Sequence, residues 1–544
     1  MKRLLLLAFS CFLLLNNSVF AQTGGKFDTT FGKNGFIELA TLPSEVGFPT
    51  KRMDTDASGR TVTVVDFYDE VLDEFFIKVT RFDASGKLDK TFGENNSGEA
   101  FIEFNGSESF FMSMALQADG KILVSAIGEG SSQNNFSIHL YRFTTKGELD
   151  QTFGTDGFAL IEDADLSAAA LAIQPLADGN ILLGGVVGDA LEGTFFAMVC
   201  KVNNKGELIK TFGELGFFKN SGVSPSALSL QFITDIAVTT NGSIVISGFF
   251  TDEDEELREG LIARLTPAGK LDPSFASTGI KQIKGFTSDV LATVVGIDVQ
   301  KDGKIIALTT TFDGVSVENE LIRFNVNGST DLAFAAQGKT SVNYDEADLT
   351  FAIDLKILAN NQIVTAVQGY NLTSEVFYSA VNRYSSSGVL DKKFGNFGTS
   401  IVEIDSIEGT TGNLAIAPNN NIIVMLEGEE VVSGDNYYQY FYRLLNPDVV
   451  GVKDEVVVLE NVKIAPNPTF NTFTLSYNLE KNQNDVNIDL IDLEGRLVKK
   501  FTNNETRQEG RNQEILDVSS IVSGIYFLKI QTAEQVKQLK VVKI

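Results

Sequence analysis

Three observations predict an all-β chain in two parts. A short phrase recurs seven times about every 60 residues, each interval holds four strand-like segments, and no interval shows helical periodicity over ten residues. Together they predict a seven-bladed β-propeller followed by a small C-terminal β-sandwich.

The phrase reads GKLDKTFG from Gly86 to Gly93. Its phenylalanine recurs as Phe31, Phe92, Phe153, Phe212, Phe275, Phe334 and Phe394, at steps of 59 to 63 residues. A basic residue keeps the same period: Arg81, Arg142, Lys201, Arg264, Arg323, Arg383 and Arg443. Between them lies a turn signal: Ser58-Gly59, Asp119-Gly120, Asp178-Gly179, Asn241-Gly242, Asp302-Gly303, Asn360-Asn361 and Asn420-Asn421. A fixed period of this length belongs to a propeller, solenoid or array.

The second unit shows the strands. FIEF (Phe101 to Phe104) and FSIHLYRF (Phe136 to Phe143) alternate, as a strand with one buried face does. SMALQA (Ser113 to Ala118) is small and apolar, and KILVSAI (Lys121 to Ile127) is nearly continuous, as for burial on both faces. Asp-Gly between the last two predicts a type I′ hairpin, and Asn tolerates the same left-handed geometry. In the phrase, Leu88 and Phe92 are expected to anchor neighbouring blades, and Asp89 to cap backbone N–H groups. The chain ends predict closure. The first phrase lacks a preceding Arg strand and the last Arg strand, Tyr437 to Leu445, lacks a following phrase. Phe36 to Leu39 should therefore be the outer strand of the seventh blade.

Residues 1–21 read as a signal peptide, with Lys2 and Arg3, an apolar Leu4 to Leu15, and small residues before a cut after Ala21. A lipoprotein cut at Cys11 fits worse, because apolar residues continue past it. The mature chain then has one cysteine, Cys200, and no intrachain disulfide. It carries 42 basic residues (44 less Lys2 and Arg3) against 71 acidic, a net of −29. From Val462 onward 11 basic residues face 10 acidic, so the acidity belongs to the large N-terminal part. Nucleic acid and anionic membrane surfaces need positive charge and are not expected partners. No segment of the mature chain has the roughly 20 apolar residues of a membrane-spanning helix.

Resemblance sharpens both parts. The landmarks from Gly24 to Asn446 resemble the delta-60 repeat family of bacterial secreted propellers, which implies the fold and no particular chemistry. After a linker at 447–461, residues 462–544 carry Pro466-Asn467-Pro468, a DLEGR hairpin containing Gly495, Gly524 and Tyr526 in SGIY, and Lys540 and Lys543 in the terminal KVVK. This order and spacing resemble the type A C-terminal sorting domain of the Bacteroidota type IX secretion system. That implies export through the secretion machinery to the medium or the outer cell surface.

Function is less legible. If SMALQA is the innermost strand, the near-identical turns and corners share one face, and loops that differ in every blade share the other. Many of those loops are acidic, and a ligand site is expected at the channel mouth near Glu162, Asp163, Asp165, Asp345, Glu346 and Asp348. The expected ligand is an extracellular protein, glycan or cation. No catalytic residue is expected, and no cofactor, with calcium as the one alternative. DTDASG (Asp54 to Gly59) resembles a calcium loop superficially, but lacks the bidentate Glu of an EF-hand and is better explained as a hairpin. The lone His139 offers no triad. A binding or adhesion propeller is therefore the leading reading. An extracellular glycan hydrolase or lyase using acidic residues is the alternative, disfavoured by the absence of Trp.

Overall fold

A computed structural model describes residues 24–544 except 42–50, 70–73, 104–109, 132–134, 164, 190–193, 221–231, 252–257, 284–290, 314, 343–346, 373–375, 405–406, 431–436, 447–458, 480–481, 493–495 and 533–535. The expected signal peptide and most of the expected linker lie outside the described residues. The chain divides into two units, Met1–Asp448 and Val449–Ile544.

The first unit is a β-propeller of seven antiparallel sheets among the described residues. We number the blades by their inner strands: Met53–Thr55, Phe110–Leu116, Ser167–Pro175, Phe232–Val238, Leu291–Val299, Leu349–Ile357 and Ile407–Ile416. Each inner strand packs beside the next, and the seventh packs beside the first, so the ring is closed. SMALQA is thus innermost, and the strand after each phrase is the outer strand of the blade before it. Ile122–Glu129 and Phe136–Phe143 are the middle strands of blade 2, and Phe158–Ile161 is its outer strand.

Blade 7 is completed from the other end of the chain. Phe36–Thr41 pairs antiparallel with Tyr437–Tyr442, and Lys26–Phe27 pairs with Leu444 and Leu445 of the same strand. The expected ring closure is present.

The hairpins differ from the type I′ expectation. Each has one left-handed residue: Gly59, Gly120, Gly179, Gly242, Gly303, Asn361 or Asn420. Its N–H donates to the carbonyl three residues back, as Gly120 does to Gln117. This is the pattern of a turn followed by a single left-handed bulge residue. Where Asp or Asn precedes that residue its side chain accepts from the backbone N–H two residues on, as Asp119 does from Lys121 at 3.1 Å; in blade 1, where Ser58 precedes Gly59, Asp56 accepts instead. In blade 7 the pair is Asn419-Asn420, one residue earlier than the sequence suggests.

The recurring phrase and the recurring arginine form one device. Asp89 Oδ1 accepts from the Thr91 N–H and hydroxyl, the expected cap, while Oδ2 accepts from Arg81 Nε at 2.8 Å. The Arg81 guanidinium lies 4.4 Å from the Phe92 ring centroid, and Nη1 donates to the Thr145 carbonyl of the next blade. The same stack recurs at Arg142, Arg264, Arg323, Arg383 and Arg443. Arg443 pairs with Asp28 and donates to the Ala84 carbonyl, carrying the lock across the junction of the chain ends. Phe92 is fully buried within a core shared by blades 1 and 2. A Cβ on Gly147 would stand 2.7 Å from Gly93 N, so the next blade's turn needs glycine there.

The second unit is a two-sheet sandwich. Leu459–Ala465, Thr472–Leu479 and Gly510–Asp517 form one sheet. Gln483–Ile491, Leu497–Arg507, Gly524–Gln531 and Val536–Lys543 form the other, and Phe473, Leu475, Ile488, Leu516, Leu528 and Val541 share the core.

Candidate functional site

Blade 3 breaks the corner rule. Lys201 stands where the other blades have Arg, and Ile209 where they have Asp. Ile209 instead joins the apolar core partly buried, and its N–H donates to the Lys201 carbonyl. Among the described residues this is the one corner of the seven without the ion pair. It also holds Leu215 in the left-handed region at φ 51°, where blade 2 has Asp156 and the first phrase has Asn34.

This corner forms one wall of a cleft of about 610 Å³ between blades 2 and 3. Leu208, Lys210, Glu214 and Leu215 come from the corner, and Phe217 and Lys219 from the short outer strand Phe217–Lys219. Blade 2 supplies Ser131, Asn135 and Ser137, and the connection into blade 3 supplies Glu162, Asp163 and Asp165. The structure therefore brings three of the six expected acidic residues together. No inner-strand residue lines the cleft, so it lies on the outer flank between two blades rather than at the channel mouth. Asp348 is three blades further round the ring and accepts from Leu372 N–H at 2.7 Å. Asp345 and Glu346 lie outside the described residues.

The cleft carboxylates are not equivalent. Burial pushes the Glu162 carboxyl up, but hydrogen bonds from the Ser131 N–H and hydroxyl and from Ser137 outweigh it and hold it below its usual range. Asp163 pairs with Lys219. Among the described residues Asp165, Glu214 and Lys210 form no ion pair. The nearby His139 ring packs edge-on to Phe158, and its Nε2 lies 3.0 Å from the Glu129 carbonyl. Burial lowers its pKa, against the opposing pull of the Glu129 carbonyl and the Glu162 charge.

A second set of titratable groups surrounds the inner strands. Asp235 of blade 4 accepts from Ile297 N–H of blade 5, Asp298 of blade 5 from Ile357 N–H of blade 6, and Asp354 of blade 6 from Leu414 N–H of blade 7. Asn413 of blade 7 accepts from Met53 N–H of blade 1. Lys356 lies among the three aspartates; burial lowers its pKa, but their charges raise it further. Where blade 7 meets blade 1, Arg52 pairs with Glu427 at 2.9 Å, and Gln439 donates to the same carboxylate. Asp66 lies beside them, accepting from Phe111 N–H at 3.3 Å. Burial raises its carboxyl to about 7 against the charge of Arg52. Sequence periodicity could have singled out Glu427, Asp66 and Gln368, which stand at one repeat position seven residues after the left-handed turn residue. It could not have shown that Glu427 and Asp66 are buried.

Raised carboxyls lose stability as pH rises. The unfolded chain ionises near pH 4 and the folded one near 7, so the contribution of Asp66 declines between those values. Asp66→Asn is expected to flatten that part of the stability–pH profile and to raise stability at pH 8 by about 2–4 kcal/mol. Denaturant melts at pH 4, 6 and 8 check this; a parallel profile for both proteins refutes the assignment.

No group of three or more His, Cys, Asp or Glu among the described residues could hold a metal ion. In DTDASG, Asp56 accepts from Ser58 and Arg60 N–H groups and pairs with Arg60, and Asp54 pairs with Lys51, as a hairpin requires.

In the sandwich Asn467 of the sorting motif is tied to the terminal strand. Asn467 accepts from Val542 N–H at 2.8 Å and donates to the Lys540 carbonyl at 2.7 Å, and Thr469 N–H donates to Val542. Tyr526 hydroxyl donates to the Val522 carbonyl beside Gly524. Gly495 lies outside the described residues.

Fold and motif define an exported β-propeller with a terminal sorting module. Residues 463–544 match the family model for a secretion system C-terminal sorting domain. Residues 117–153, 239–275 and 300–334 match the model described as domain of unknown function (DUF5122) beta-propeller. The sorting domain directs the chain through type IX secretion to the medium or cell surface. No curated protein matches the chain. Among solved structures, a polysaccharide lyase (an ulvan lyase) shares 11% identity at TM-score 0.45, over 74% of this chain and 94% of its own. The β-propeller domain of the trilobed protease from Pyrococcus furiosus shares 11% identity at TM-score 0.34, over 74% and 93%. An endo-arabinase from Bacteroides thetaiotaomicron shares 11% at TM-score 0.29, over 52% and 93%. No helix among the described residues is long and apolar enough to cross a membrane.

Proposed function

We propose that this chain is an exported recognition protein whose propeller binds an extracellular partner through the cleft between blades 2 and 3. The observation that carries this reading is a coincidence of position. The one corner that departs from the repeated lock is the one that walls the cleft. Local rules of a fold are relaxed where a site replaces them. The mature protein should melt higher in the presence of a bound partner by mass action. A saturable rise with a member of a calcium, glycan and protein panel, abolished by Asp165→Asn with Glu214→Gln, supports the cleft. A rise that survives both substitutions places recognition elsewhere.

The terminal domain is expected to act through its last strand. Removing residues 537–544 strips Val536–Lys543 from its pairing with Gly524–Gln531 and leaves Asn467 without its partners. The truncated protein should accumulate in the periplasm, read by fractionation and immunoblot. Undiminished secretion counts against the sorting role.

One observation favours a second reading, a glycan-acting enzyme: a carboxyl raised to about 7 beside an arginine and a second carboxylate at Asp66, Arg52 and Glu427. Turnover of a polysaccharide that Asp66→Asn abolishes would establish it.

A further inference from the structure

We infer that the cleft is a docking groove for an extended peptide segment of a partner protein, one that presents an apolar side chain flanked by basic residues. The inference rests on the binding reading above and names its ligand class. Charge sets one half of it. Glu162, Asp163, Asp165 and Glu214 face Lys210 and Lys219, four carboxylates against two ammonium groups. Lys219 is occupied by Asp163, and Glu162 by serines, so the groups left to meet a ligand are Asp165, Glu214 and Lys210. A ligand of complementary charge is basic, as steering toward an acidic propeller also requires.

Apolar surface sets the other half. Leu215 stands 76% exposed on the cleft wall, with Leu208 and Phe217 among the other lining residues. Its left-handed backbone suits Asn or Asp far better than leucine. An exposed leucine in that conformation serves neither the turn nor the core. Its side chain is available to cover an apolar group of a ligand. A sugar is less well matched, because the only ring among the described lining residues belongs to Phe217, which is 3% exposed. The cavity of about 610 Å³ is of the size that accommodates a short chain segment.

The test is selection of a displayed random heptapeptide library on the mature protein, counter-selected on the Leu215→Asn variant. The expected result is enrichment of peptides pairing Leu, Ile, Val or Phe with neighbouring Lys or Arg. The best peptide, synthesised, should bind saturably, weaken with salt, and lose at least about tenfold affinity (1.4 kcal/mol) in Leu215→Asn and in Asp165→Asn with Glu214→Gln. Leu215→Asn should melt higher than the parent, so lost binding is not lost folding. Phe397, also left-handed at φ 53° and 55% exposed but on the blade 6 corner, is the control. Phe397→Asn should raise the melt and leave the peptide bound. Enrichment indifferent to Leu215 and to both carboxylates overturns the proposal. If no peptide is selected but a glycan array shows binding that those substitutions abolish, the peptide class falls and the cleft stands. If neither probe responds to the substitutions, both fall.

Discussion

Deleting residues 25–39 is expected to lower the Tm of the mature protein by about 10 °C or more. The segment contributes most of the outer strand of blade 7, the Asp28 carboxylate that pairs with Arg443, and Phe31, which is fully buried. Arg443 is itself nearly buried, so deletion leaves a guanidinium without its counter-ion as well as an exposed core. Removing one partner of a buried pair costs about 3–5 kcal/mol. Truncating a buried Phe costs a similar amount, about 3–5 kcal/mol. The two sites are in contact, 4.4 Å from guanidinium to ring centroid, so their costs do not simply add. Calorimetry of the deletion beside Phe31→Ala separates them. A melt unchanged by the deletion would mean the ring is held without its junction strand.

The second large effect is expected at Asp150. Asp150→Ala should destabilise by about 3–5 kcal/mol, because Arg142 and Lys121 both converge on Oδ2, and the Arg142 side chain is only 4% exposed. Burial pushes the Asp150 carboxyl up, but Thr152, Lys121 and Arg142 hold it far below the usual carboxylate range. A depressed carboxyl stabilises the fold above pH 4 and loses that contribution as pH falls through the folded pKa. The gap between parent and Asp150→Ala should therefore narrow toward pH 2. Ile209→Ala at the equivalent position of blade 3 removes no charge partner and, since Ile209 is only partly buried, should cost about 2 kcal/mol, the low end for such a truncation. Equal losses at the two positions would show that the ion pair contributes nothing beyond packing.

Much of the propeller could be read from periodicity alone. The spacing of Phe31 to Phe394, the alternation in FSIHLYRF, and the incomplete first and last units predicted sheets, order and closure correctly. A repeat of side-chain types at fixed spacing reports a repeated backbone environment. The hairpin type was misread because Asp-Gly serves two geometries, and only the number of left-handed residues separates them. Arg81 and Asp89 were each visible as recurring residues, but their pairing was not. Eight residues of intervening turn bring them together, and the distance along the chain does not report it.

The candidate site was half legible. Glu162, Asp163 and Asp165, which line the cleft, could be singled out because loops that differ among otherwise equivalent units stand out. Their partners were missed, because Lys210, Glu214, Leu215 and Lys219 belong to the next unit and meet them only when blades 2 and 3 pack. The sequence by itself determined the repeat, the closure of the ring and the export module, since each is written in local patterns of residue type. Tertiary structure alone decided which acidic residues share a cleft, which carboxyls are raised by burial, and that Lys201 and Ile209 leave one corner unlocked beside that cleft. Those properties arise from contacts between blades, where charge, burial and distance are set by packing rather than by neighbours along the chain.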